Sequence, residues 1–127
     1  MTIAFVFPGQ GRQAVGMGAA LAQAFTAAKT VFDEVDDSLD QKLSTLIWEG
    51  PEADLTLTAN AQPALMAVSM ASMRALETEG FALSYNVAFV AGHSLCEYAA
   101  LAAAGALSLA VTALLLKSRG RAMQDAV

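Results

Sequence analysis

Two short runs in the chain are apolar at every position, and most of what lies between and after them repeats with helical spacing. Residues 3–7 (Ile-Ala-Phe-Val-Phe), closed by Pro8-Gly9, read as a strand buried on both faces, because a half-buried strand would alternate. Residues 87–91 (Val-Ala-Phe-Val-Ala) have the same character, and about eighty residues separate the two runs. The pattern predicts a short parallel sheet, with strands near 3–7 and 87–91 joined by a large helical crossover.

Between the strands, residues 13–27 and 29–39 read as helices. The second carries Asp33, Glu34, Asp36 and Asp37 beside Phe32, Val35 and Leu39, so its acidic cluster reads as a solvated face. A short helix over 43–48 is stopped by Glu49-Gly50-Pro51, and 55–59 reads as a connection. A long helix over 61–79 follows, with Pro63 in its first turn and Gly80 at its end. Met66, Met70 and Met73 recur on it at helical spacing, a stripe that suits core packing.

The stretch from Ala99 to Leu116 holds eighteen residues without a charge, the length of a membrane span. Its alanines are weakly apolar, and Gly105 followed by Ser108 reads as one helix ending and the next being capped, so no membrane partner is expected. In the last helix, 108–123, Leu109, Val111, Ala113, Leu114, Leu115 and Leu116 spread apolar surface nearly all round, where a surface helix would show one stripe.

Composition narrows the class. The 127 residues suffice for one domain, 56 % are hydrophobic and only 7 % aromatic, which favours an α/β, helix-rich domain over a β-sandwich. Seven Lys plus Arg against twelve Asp plus Glu give a net charge of −5, a poor basis for binding nucleic acid. One cysteine and one histidine allow neither an internal disulfide nor a Cys/His metal site, so no metal is expected and a reducing, cytoplasmic setting fits. The start of the chain lacks the basic segment of a signal peptide.

Gly92-His93-Ser94-Leu95 follows the second strand and opens an apolar helix, the strand-turn-helix context of a nucleophile elbow. A tight turn there would hold Ser94 in a strained conformation with its hydroxyl exposed, and the Leu95 N–H at the helix start would point at a developing oxyanion. The four residues alone suit a helix N-cap serine equally well. His93 is rejected as its base, because the residue before an elbow nucleophile points away from it.

Four motifs occur in order along the chain: Phe7-Pro8-Gly9-Gln10-Gly11, then Gln62-Pro63-Ala64-Leu65, then Gly92-His93-Ser94-Leu95 with Glu97-Tyr98-Ala99-Ala100-Leu101, then Arg119-Gly120 with Met123-Gln124. Together they resemble the malonyl-CoA:acyl-carrier-protein transacylases and the related acyltransferase domains of polyketide synthases. The resemblance implies a partial α/β-hydrolase-like acyltransferase subdomain. It implies that Ser94 takes the malonyl group from coenzyme A and passes it to the thiol of an acyl carrier protein. The backbone N–H groups of Gln10 and Leu95 would form the oxyanion hole, Arg119 would pair with the free malonyl carboxylate, and Gln62 would line the pocket. Taken alone, Arg119 also suits a surface residue near a helix C-terminus, and Gln62 a solvated residue at a helix start. No cofactor is implied, coenzyme A thioester being the substrate.

By the same resemblance, residues 1–127 would be the N-terminal part of the large subdomain, with the ferredoxin-like subdomain, the C-terminal half and the general-base histidine absent. Such a piece is expected to be inactive alone, or to be a self-associating structural fragment. A homodimer is expected, built on the last helix and the exposed sheet. The acidic chain offers an acyl carrier protein only the cationic cluster Lys117, Arg119 and Arg121. Four positions depart from the family pattern: Cys96 replaces the second elbow glycine, Arg12 a small polar residue, Val111 the acid of a capping box begun by Ser108, and Leu114 a charged residue.

Overall fold

The computed structural model describes residues 2–127 and, within them, all side chains except those of Ser84 and Tyr85. Strand β1 (Ala4–Phe7) pairs in parallel with β2 (Phe89–Gly92), Ala4 opposite Phe89 and Phe7 opposite Gly92. The Ala88 N–H also donates to the Ile3 carbonyl at 2.8 Å, extending the pairing by one residue. The parallel sheet and its helical crossover are therefore present, at nearly the expected positions. Burial on both faces is not: Val6 is 75 % and Phe89 67 % exposed, while Phe7 is buried. With only two strands, helices cover one face, and the apolar residues of the other face solvent.

Helices α1 (Ala19–Ala24), α2 (Thr26–Leu39), α3 (Leu43–Glu49), α4 (Glu52–Thr56), α5 (Thr58–Thr78) and α6 (Leu83–Asn86) occupy the crossover. The expected helix over 13–27 shrinks to six residues, because Gly16 and Gly18 adopt positive φ and the Gly16 N–H donates to the Ile47 carbonyl at 2.8 Å. Phe25, extended at φ −129°, separates it from α2. The expected connection at 55–59 is instead the end of α4 and the start of α5. Glu52 and Asp54 favour the N-terminus of α4 through the helix dipole, which the sequence reading overlooked. Pro63 consequently lies inside α5 rather than in its first turn. The missing hydrogen bond is borne by a helix that packs against both α2 and α8 (Leu109–Asp125).

The methionine stripe is core: Met66, Met70 and Met73 are buried with Phe32, Val35, Leu43 and Ile47. Asp36 departs from the solvated-face reading. It is buried, and its carboxylate accepts from the Ser44 N–H at 2.9 Å and from the Ser44 hydroxyl at 2.5 Å, satisfying the open N-terminus of α3. The uncharged stretch breaks as expected. Helix α7 (Leu95–Ala103) ends before Gly105 (φ 84°), and Ser108 Oγ accepts from the Val111 N–H at 3.2 Å to cap α8. No helix among the described residues is long and apolar enough to cross a membrane.

Candidate active site

The turn between β2 and α7 is shaped by one glycine and one strained serine. A Cβ at Gly92 would lie 1.9 Å from the Cys96 carbonyl oxygen, so only glycine lets the strand meet the first turn of α7. Ser94 then takes φ 60° and ψ −119°, a conformation that costs an L-residue about 1–3 kcal/mol. Its exposed side chain is thereby lifted above the sheet end, as an elbow requires. The Cys96 and Glu97 N–H groups donate back to the His93 and Ser94 carbonyls, at 3.2 and 3.1 Å. The Leu95 N–H takes no part in these turn bonds and stands at the positive end of α7.

The loop after β1 lies against this turn. A Cβ at Gly9 would be 3.8 Å from the His93 carbonyl, and the buried Cys96 thiol donates to the Pro8 carbonyl. Burial pushes that thiol up from its ordinary 9.0 to about 11, so it stays protonated and unreactive at neutral pH. Gln10 is placed in this loop beside the elbow, and its side-chain amide donates to Thr58 Oγ1 at 3.2 Å, tying the loop to the start of α5. Arg12 is exposed two residues further on.

Arg119 comes to Ser94 from α8. Its Nη2 donates to Ser94 Oγ at 2.9 Å, its Nη1 to Gln62 Oε1 at 2.7 Å, and its Cζ lies 5.9 Å from the centre of the Tyr98 ring. The close approach depends on Gly120, where a Cβ would meet the backbone of Thr58 and Ala59 at 2.7 Å. Beyond it, Gln124 Oε1 accepts from the Ala59 N–H at 3.3 Å. Lys117 adds a second tie, donating to Gln41 Oε1 at 2.7 Å and Asn60 Oδ1 at 2.8 Å. Burial, and then the charge of Arg121, lower the pKa of that lysine.

Ser94, Leu95, Arg119 and Gln62 therefore converge, with Gln10 in the adjoining loop. Gln62 is fully buried rather than solvated. His93 is exposed, and no hydrogen bond joins it to Ser94 among the described residues. Sequence reasoning assigned no role to Tyr98, Gly120 or Met123. Helical spacing could have found two of them, since Ser94 to Tyr98 and Arg119 to Met123 are both steps of four. A cleft of about 520 Å³ along β2, lined by Phe81, Leu83, Phe89, Val90 and Ala103, holds none of these residues.

Residues 4–127 match the acyl transferase domain family. The malonyl CoA-acyl carrier protein transacylase of Bacillus subtilis (strain 168) is 50 % identical over 125 residues, which cover 98 % of this chain and 38 % of that protein. The crystal structure of the acyl-carrier-protein-S-malonyltransferase from Bartonella henselae is 61 % identical, with a TM-score of 0.98 over 100 % of this chain and 40 % of that one. A malonyl-transacylase solved in complex with its type II polyketide acyl-carrier protein is 42 % identical, with a TM-score of 0.93, and 40 % of it is covered. The chain thus spans about two fifths of the length of these relatives. With the match running from residue 4 to residue 127, the chain belongs to the acyl transferase domain family.

Proposed function

We propose that the site carries out malonyl transfer from coenzyme A to an acyl carrier protein through an ester on Ser94. The observation that supports this most is the 2.9 Å hydrogen bond from Arg119 Nη2 to Ser94 Oγ, which keeps a cation within reach of an acyl group carried on that serine. Attack by Oγ on the thioester carbonyl forms a tetrahedral oxyanion. The Leu95 N–H and the Gln10 N–H are the donors assigned to it, and coenzyme A leaves as the thiol. The carrier thiol then attacks the ester and releases Ser94. Arg119 holds the far carboxylate in both steps, favouring malonyl over acetyl.

The neutral serine hydroxyl needs a base, and His93 is not placed to serve. The 127-residue chain alone is therefore assigned slow acylation and little onward transfer. Intact-mass analysis after incubation with malonyl-CoA tests this. The expected result is slow, sub-stoichiometric malonylation that disappears in Ser94→Ala. Rapid, stoichiometric acylation contradicts the slow step, and an adduct that survives Ser94→Ala contradicts the nucleophile.

A second reading, a self-associating structural piece, is favoured by the exposure of Val111 (46 %) and Leu114 (52 %) on one face of α8. We propose that a second copy covers this face in a homodimer. Docking of an acidic carrier on the chain alone is weak in this account, because Lys117 is engaged with Gln41 and Asn60 and Arg119 with Gln62 and Ser94, leaving Arg121 of the cluster.

A further inference from the structure

One of the two hydrogen-bond partners of Arg119 is a buried side chain. Gln62, on α5, is 0 % exposed. Its two amide ends face different partners. Oε1 accepts from Arg119 Nη1 at 2.7 Å, while Nε2 donates to Met123 Sδ at 3.3 Å. Flipping the amide would set NH₂ against a guanidinium that has only donors and would turn Oε1 towards the thioether, so one orientation is favoured. The guanidinium is consequently held at two of its nitrogens, by Gln62 and by Ser94, with the Tyr98 ring beside it. Its remaining N–H groups stay available in a fixed plane, the requirement for a two-pronged carboxylate pair. Gln62 is also neutral, so it orients the cation without cancelling the charge that an acyl carboxylate would meet.

We infer that Gln62 is a positioning residue for acyl selectivity: it fixes the plane of Arg119 so that a carboxylate-bearing acyl group is preferred, without touching that group. This rests on the reading of Arg119 as the carboxylate partner. The test uses the full 127-residue chain and three variants, Gln62→Met, Gln62→Glu and Arg119→Met. Titration gives the ratio of affinities for malonyl-CoA and acetyl-CoA, and nitrogen-resolved NMR shows whether the Nη groups of Arg119 rotate freely.

In the parent chain the ratio is expected to favour malonyl-CoA by about tenfold or more, as for a hydrogen bond between charged groups, with separate Nη signals. Gln62→Met should merge those signals and remove most of the preference, leaving acetyl-CoA affinity within about twofold, since that ligand gains nothing from the carboxylate pair. Gln62→Glu should keep the signals separate yet still lose preference, because its carboxylate neutralises the cation. It also carries the test if the methionine variant does not fold. A parent ratio retained in either variant, or both affinities falling in proportion, overturns the inference. The reading of Arg119 fails separately, if the parent shows no preference or Arg119→Met retains it.

Discussion

Ser94 holds its φ of 60° because Gly92 and the first turn of α7 leave the chain no other path. That strain can be measured against a control that also lacks the hydroxyl. Ser94→Gly should be more stable than Ser94→Ala by about 1 kcal/mol in denaturant unfolding, since glycine adopts this region freely and alanine does not. Equal stabilities would show that the turn is unstrained. Cys96, two residues on, gives a pH signature. Its thiol is raised from 9.0 to about 11 in the fold, so the folded chain keeps a proton that the unfolded chain gives up. The associated stability is present below about pH 9 and is lost as pH rises towards about 11, so unfolding midpoints should fall over that interval. In Cys96→Ala that component of the fall should be missing. An identical pH profile in the variant would contradict the assignment.

At the scale of elements, the site is an agreement between α5 and α8 at one glycine. Gly120→Ala would drive a methyl into the backbone of Thr58 and Ala59, so it should cost about 1–3 kcal/mol and draw Arg119 away from Ser94. A thermal melt unchanged from the parent would contradict the close contact. The same elements show what was legible in the sequence. The strands, the break at Gly105 and Ser108 and the methionine core follow from local pattern, because each is set by neighbours in the chain, whereas the elbow is separated from an N-cap serine only by the company of the other three motifs. The missed features depend on partners far away. Asp36 looks solvated until Ser44 is brought to it, and Gln62 looks like a helix-start residue until Arg119 arrives from 57 positions later. The helix proposed over 13–27 failed for a nearer reason, since Gly16 and Gly18 were available as a warning. Arg119 and Ser94 could be named from their motifs, but their direct hydrogen bond could not.

For the whole molecule, apolar residues remain uncovered on both the sheet and α8, with Val6, Phe89, Val111, Leu114 and Leu115 exposed. If a second copy covers them, the interface should bury on the order of 2,000 Å² or more, and light scattering at tens of micromolar, taken as well above the dissociation constant of so large a contact, should give the mass of a dimer. Val111→Asp with Leu114→Arg should shift it to monomer or insolubility. A stable monomer of the parent chain would contradict the homodimer while leaving the chemistry of Ser94 untouched. The central claim is that Arg119 holds the acyl carboxylate while the thioester carbonyl meets the serine of the elbow. Its most direct test is the crystal structure of Ser94→Ala with malonyl-CoA bound. The account places both carboxylate oxygens on Arg119 at about 2.8 Å, with the thioester carbonyl over residue 94 and its oxygen towards the Leu95 N–H. A malonyl group bound with its carboxylate away from Arg119 would contradict it.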